Sequence, residues 1–454
     1  MTVDLRTAAE NHLLLNMTAN GGIAERLFVV RGGEGPYVDD ADGNRYIDGL
    51  SGLYCNQLGY SYAEEFAEAA SRQIGELGYS PLWSSSAHPA AIELAERLAS
   101  LAPPGFGHTF FAGGGAEAVE TAWKIALKYH AQRGEPGRTK AIARRGAYHG
   151  LTLGALAFTD DPGLTKPFGA PAVRTRFVAN TNRYRAPEVA DFTAYLLADV
   201  EAAILAEGPD TIAMLIAEPV QNRGGCITPP DGYWAGLREL ADRYGFLLVA
   251  DEVITAFGRL GEWFGGVKYG AQPDIITLAK GLTAGYAPMG AAMVGAGVAD
   301  VLREPGVVLN HGYTFAGHPL CAAIALRALE ITERDGVLGN VRDAQEHLAK
   351  RMASLSALPI VGDVRGDGFF YAVELTGDAE AGGFSDAARA ALVRDLIPRR
   401  LREGGLLARV YDRAEPLVQI APPLISTRDL LDRIVDIVGA ALDEASTRLN
   451  GAAR

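Results

Sequence analysis

The chain has little sulfur and no excess of positive charge. Its three cysteines, Cys55, Cys226 and Cys321, are scattered among 454 residues. An odd and dispersed set excludes a disulfide framework and fits the reduced thiols of a cytoplasmic protein, all three packed as small buried hydrophobes. Lysine and arginine number 42 against 55 aspartates and glutamates, for a formal net charge of −13. With no basic face to offer, neither nucleic acid nor an anionic membrane is an expected partner. Long apolar runs are missing too, since stretches such as residues 290–299 fall well short of the ~20 residues that span a bilayer. The opening "MTVDLRTAAENHLLLNMT" sets Asp4, Arg6 and Glu10 around three consecutive leucines, which is not the apolar core of a secretory signal. There is no internal repeat and no low-complexity tract.

What is present is ordinary globular composition, 48% hydrophobic and 21% charged, in a chain long enough for roughly two or three domains. From about His108 to Ile331, short runs rich in Val, Ile and Phe alternate with helical patterns, which predicts α/β units on a largely parallel sheet. Strands are predicted near 108–112, 140–145, 173–178, 212–218, 246–251, 275–279 and 291–295. "AEAVETAWKIALKYHAQRG" reads as a helix stopped by Gly134, and "DGYWAGLRELADRYG" as one running from Asp231 to a cap at Gly245. Upstream, "PYVDDADGNRYIDG" carries a hairpin signal at Asp42-Gly43. Downstream, helices are predicted around 340–355 and 387–403, strands at 369–375 and 417–420, and a last helix from Arg428.

In an open α/β sheet, ligands bind beyond the carboxyl ends of the strands, so polar residues there matter most. "FLLVADEVITAFGRLG" ends an apolar strand on Asp251 and Glu252, and "PDIITLAKG" ends the next on Lys280. Taken alone, Lys280 reads equally as a surface residue whose stem lies on apolar groups, and Asp251 as a helix cap or ion-pair partner. Desolvation, however, lowers a lysine pKa and leaves free amine able to attack a carbonyl. A third element, "HTFFAGGGAEAVETAWK", runs a strand through Gly113, Gly114 and Gly115 straight into a helix. Such a turn exposes N–H groups to an anion, although tight turns need glycine for steric reasons as well. It matches neither a Walker loop nor a dinucleotide fingerprint. "RGAYHGLTLGALAFT" places Tyr148 and His149 just past another strand, where core packing is the alternative reading.

Together "GGGAEAVETA", "AYHG", "AEPVQ", "ADEVITAFGRLG", "LAKGLTAGYAPMG" and "HGYTFAGHPLCAAIA" resemble the class III, or ω-type, aminotransferases, over nearly the whole chain. The resemblance implies the pyridoxal-phosphate fold of type I. It divides the chain into an N-terminal segment of a small α+β domain at 1–60, a large domain at 61–332 with a seven-stranded, mostly parallel sheet, and the rest of the small domain at 333–454. It further implies pyridoxal 5′-phosphate as cofactor, no metal centre, and a homodimer with active sites at the subunit interface. Lys280 is then the residue that holds the cofactor covalently and shuttles the proton. Asp251 pairs with the protonated ring nitrogen, where each pKa unit of stabilisation is worth ~1.4 kcal/mol. Tyr148 and Val253 cover the two ring faces. Gly114, Gly115 and Ala116 receive the phosphate, with Thr314 arriving from the second subunit, while His149 and Glu218 stand beside the cofactor.

One departure is visible. Many members of the family carry Ser-Gly-Ser where this chain has Gly114-Gly115-Ala116, so two hydroxyl contacts to the phosphate are absent and looser cofactor binding is expected. For the substrate, the resemblance points to Tyr54 and Trp83 as pocket walls, and to Arg409, with Arg413 as its rival, as the guanidinium that grips a carboxylate. The expected reaction is amino transfer from an ω-amino acid or primary amine to pyruvate. Rival readings are a 2-oxoglutarate-linked aminotransferase, a decarboxylase, aminomutase or racemase on the same scaffold, and a cofactor-binding protein without turnover.

Overall fold

The computed structural model describes residues 4–169, 171–377, 383–412 and 415–452. Three short strands come first: β1 (Val30–Glu34), β2 (Tyr37–Asp40) and β3 (Arg45–Asp48). β2 and β3 pair as the hairpin predicted at Asp42-Gly43. Its turn is closed by Asp40, whose carboxylate accepts the backbone N–H of Asp42 and of Asn44, and Gly43 takes the φ of +88° that the reversal requires.

The centre is a seven-stranded sheet of β4 (Phe106–Ala112), β5 (Lys140–Arg144), β6 (Arg174–Val178), β7 (Ile212–Ala217), β8 (Leu247–Asp251), β9 (Ile275–Leu278) and β10 (Gly290–Gly295). The spatial order is β4-β10-β9-β8-β7-β5-β6. β10 is antiparallel to both neighbours, while the pairs from β9 to β6 are parallel. Every predicted strand of this block is present. β7, β8 and β9 are buried at every position, the outcome of helices on both faces and the reason their sequences read as unbroken apolar runs. Alternation sorts the two faces: Ile142, Leu215, Leu248 and Ile276 pack toward Leu94, Leu196 and Leu237, whereas Ala143, Ile216, Val249 and Ile275 pack toward Val119, Ala122 and Ile125 of the helix Gly115–Gln132. The helix Tyr233–Tyr244 begins two residues later than predicted, because Gly232 at φ +77° leaves Asp231 outside it, and ends on Gly245 at φ +73°.

The remaining strands are β11 (Val361–Asp367), β12 (Phe370–Leu375), β13 (Leu406–Leu407), β14 (Arg409–Tyr411) and β15 (Leu417–Ile420). Four make an antiparallel sheet, β11-β12-β15-β14, and β13 joins β3 in parallel to complete the first sheet. β11, β13 and β14 were not predicted. β11 is half-exposed along its whole length and interrupted by glycines, and the other two are very short, so none carries a readable period. The helical stretch predicted at 387–403 contains a widened turn, Arg389–Leu396, ahead of Pro398, whose missing N–H cannot serve the preceding turn. Among the described residues no helix is long and apolar enough to cross a membrane.

One expectation is corrected. Cys226 and Cys321 are buried, but Cys55 is only partly so, because it lies on the irregular backbone after Tyr54 where its thiol acts electrostatically on Lys280.

A buried acid ties the C-terminal sheet to the centre. Glu374 on β12 receives Arg185 Nε and an Arg365 guanidinium nitrogen, each at 2.6 Å, and Arg365 Nε donates to the Gly225 carbonyl at 2.7 Å. Glu374→Ala removes the buried acid that joins Arg185 to Arg365, which keep Glu415 and Asp363 as partners, and is expected to destabilise the protein by roughly 2 kcal/mol, read as a lower guanidinium-chloride midpoint.

Candidate active site

β8 and β9 are parallel neighbours, so their carboxyl ends emerge side by side. Asp251 closes β8 opposite Thr277, and Lys280 follows β9 by two residues. Asp251 is 5% exposed. A carboxylate so buried needs donors, and it has three: Thr277 Oγ1 at 3.0 Å and the Val253 N–H at 3.2 Å on Oδ1, and His149 Nδ1 at 2.7 Å on Oδ2. Donation from Nδ1 leaves His149 Nε2 buried without a partner among the described residues. Glu218, just past β7, accepts the N–H groups of Tyr148 and Asn222 at 3.3 and 2.9 Å, and burial above all raises its pKa, with Asp251 adding to the effect. The acids and His149 predicted from separate motifs thus meet at one end of the sheet.

Lys280 is held in an unusual state. Its backbone sits at φ +40°, the left-handed region that side chains with a Cβ rarely adopt, and its pKa is lowered chiefly by burial. Arg409 lowers it further, while Cys55, Asp251 and Glu218 oppose. The next residue has no room for a side chain, since a Cβ at Gly281 would meet Gln57 Oε1 at 2.3 Å. Among the described residues the Lys280 amine makes no hydrogen bond, which leaves its lone pair available when deprotonated.

The glycine turn lies at the mouth of β4. Gly114 is extended and caps the helix Gly115–Gln132, and Glu117 reaches back to accept the Gly113 N–H at 2.6 Å. Close packing explains the glycines. A Cβ at Gly290 would stand 2.3 Å from the Gly114 carbonyl oxygen, and one at Gly115 3.0 Å from Val253 Cγ1. A phosphate fits at the exposed N–H groups of this first turn, beginning at Gly115 and Ala116. An aldehyde-bearing pyridine fits beside it, with a nucleophilic amine at one strand end, an acid at the next, and Val253 between cradle and acid. Thr314 is exposed; its segment rests on the same helix through His311 to Thr121 and the Tyr313 hydroxyl to the Glu117 carbonyl.

The opposite wall comes from the C-terminal sheet. Tyr54, 1% exposed and at φ +63°, packs with Val220, Phe370 and Ala421. Its hydroxyl donates to Gln419 Oε1 at 2.7 Å and accepts Arg409 Nη1 at 3.1 Å; burial pushes its pKa up to about 12, so it stays neutral. Arg409 on β14 lies over the Tyr411 ring, 5.1 Å from its centroid, and has no carboxylate partner among the described residues. Trp83 is 55% exposed and packs against Gly312. Arg413 lies outside the described residues. Sequence reasoning missed Thr277 and Gln419, whose signal was a polar side chain inside an otherwise apolar strand. It also missed Cys55, Asn222, Arg223 and Tyr411, which carry no local signal.

The profile of the family described as aminotransferase class-III matches residues 19–442. The chain is 45% identical over 98% of its length to a probable aminotransferase, Rv3329, of Mycobacterium tuberculosis, covering 95% of that protein. It is 35% identical to the putrescine–pyruvate aminotransferase of Pseudomonas aeruginosa, over 92% of this chain and 91% of that one. It is 36% identical to the diaminobutyrate–2-oxoglutarate transaminase of Halomonas elongata, over 93% and 91%. An ω-transaminase of Pseudomonas jessenii, solved in complex with PMP, superposes with a TM-score of 0.91 at 33% identity, covering 99% of each chain.

Two substitutions test the cradle through dialysis, followed by the visible absorbance of the retained cofactor. Gly290→Ala, which pushes on the Gly114 backbone, is expected to speed cofactor loss. Ala116→Ser, which adds a hydroxyl toward the phosphate, is expected to slow it by a factor of about three to ten; equal loss from both proteins and the parent would refute the assignment.

Proposed function

This chain belongs to the class III aminotransferases, and from that premise we propose that it moves an amino group from an ω-amino acid or primary amine to pyruvate. Pyridoxal phosphate, the cofactor of the family, supplies when bound an aldehyde for amine exchange and an electron-poor ring that accepts the electrons left by the departing α-proton. In this reading Lys280 Nζ would anchor the cofactor between turnovers, then take the proton from the substrate carbon and deliver it to the cofactor carbon that bore the aldehyde. Its lowered pKa keeps a fraction of the amine unprotonated for both tasks. Asp251, oriented by Thr277 and His149, would pair with the ring nitrogen. Tyr148 and Val253 would fix the ring plane and the N–H groups of Gly115 and Ala116 would hold the phosphate, while Glu218 positions Tyr148 by accepting its backbone N–H.

The observation that carries the pyruvate reading is how the two guanidiniums beside the Tyr411 ring are paired. Arg223 is neutralised by Asp161, and Arg409 has no acidic partner among the described residues. One available guanidinium among the described residues suits an acceptor with one carboxylate, gripped bidentately. Relatives that use pyruvate and 2-oxoglutarate are about equally similar, so the 2-oxoglutarate reading is the rival. A homodimer is also part of the proposal, with Thr314 serving the phosphate of the second subunit. Apolar side chains left exposed near Thr314, Phe315 at 66% and Trp83 at 55%, support a covered face there.

The test is spectroscopic. The absorbance of the bound cofactor should fade on adding 1-phenylethylamine and return on adding pyruvate with formation of alanine; return only with 2-oxoglutarate would select the rival, and no cycling with either would favour a decarboxylase or racemase. Lys280→Ala is expected to lower turnover by at least ~100-fold. Because burial lowers the Lys280 pKa, covalent cofactor uptake by the stripped protein should rise with pH and level off below the ordinary lysine value of 10.5.

A further inference from the structure

Arg409 is held at two points, and both lead back to one dipeptide. Asn222 and Arg223 lie in the loop that follows β7. Arg223 Nε donates to the Tyr411 hydroxyl at 2.7 Å, its Nη1 to the Asp160 carbonyl at 3.2 Å, and its Nη2 pairs with Asp161 Oδ2 at 2.5 Å. The Arg223 and Asp161 side chains are 11% and 6% exposed, so this is a guanidinium fixed by its whole fork rather than a surface charge. Both guanidiniums lie close to the Tyr411 ring, the Arg223 guanidinium carbon 5.7 Å from its centroid and that of Arg409 at 5.1 Å. The second hold runs from Arg409 Nη1 to the Tyr54 hydroxyl at 3.1 Å, from that hydroxyl to Gln419 Oε1 at 2.7 Å, and from Gln419 Nε2 to Asn222 Oδ1 at 2.9 Å. The loop is itself anchored by Arg365, which donates to the Gly224 and Gly225 carbonyls.

We propose that Arg223, acting through Tyr411, and Asn222, acting through Gln419 and Tyr54, are positioning residues that set the orientation of Arg409 and so the preference of this pocket for a carboxylate-bearing substrate. The inference rests on the reading of Arg409 as the carboxylate grip. An arginine side chain has several rotatable bonds, and a carboxylate that must first order it binds more weakly. A ring face on one side and a neutral hydroxyl on the other restrict the guanidinium without neutralising it, which an aspartate partner would do. Asp161 plays the complementary part, cancelling the Arg223 charge that would otherwise repel Arg409.

The holoenzyme tests this by steady-state kinetics with pyruvate and with 1-phenylethylamine, a donor that lacks a carboxylate. Arg223→Lys retains a charge for Asp161 but loses the fork, and Tyr411→Phe retains the ring but loses the acceptor. Each is expected to raise KM for pyruvate by about three- to tenfold while kcat and the amine KM change by less than about twofold. In an Arg409→Ala background the same substitutions should add nothing, because their effect runs through Arg409. Effects that multiply in that background, or a fall in kcat with both KM values disturbed, would overturn the proposal in favour of a structural tie. Should Arg409→Ala itself leave the pyruvate KM unchanged, the carboxylate reading fails first and the inference falls with it. If Arg223→Lys does not fold, Tyr411→Phe completes the same cycle alone.

Discussion

A carboxylate buried at the end of a parallel strand has to be met by donors from several directions, and that demand at Asp251 orders the rest of the site. Its partners come from three places: Thr277 on the adjacent strand, His149 in the loop after β5, and the first turn after β8 itself. The first two cannot be supplied unless β8 lies beside β9 and the loop after β5 folds over the sheet end. The strand order is therefore part of the chemistry. An unpaired acid at this depth would bear the full cost of desolvation, which the three donors offset.

Lys280 embodies the opposite arrangement. Its amine is desolvated and its backbone is held in a left-handed turn, both unfavourable for the protein taken alone. The fully buried strands on either side of it and the tight fit of Gly281 against Gln57 hold the turn in place. Strain is tolerated here because rigid neighbours over-determine it. The same residues show that local preference was overruled where chemistry is done.

The two walls of the pocket differ in origin. The cofactor side is built from the central sheet and the helix that starts at Gly115, a single packed unit. The substrate side is a junction: Tyr54 from the N-terminal segment, the loop after β7, and β14 with β15 from the C-terminal sheet, clamped by Glu374 and Arg365. In the proposed reading, substitutions at the junction act on the grip of the substrate, and Arg409 there also bears on the Lys280 amine.

The sequence by itself determined the central sheet and the positions of Lys280, Asp251 and the glycine turn. Buried parallel strands are uninterrupted apolar runs, and a charge or a glycine cluster placed directly after one stands out within a window of a few residues. Thr277 and Gln419 were half legible, as polar side chains in apolar strands whose partners were hidden. Only the tertiary structure decided that Thr277 faces Asp251, that Cys55 leaves the core to neighbour Lys280, that β13 completes a sheet begun hundreds of residues earlier, and that Arg223 holds Tyr411 across a separation of 188 residues. Periodicity is written in neighbouring residues, but a hydrogen-bond partner is chosen by which strands and loops come together, and that depends on the packing of the whole chain.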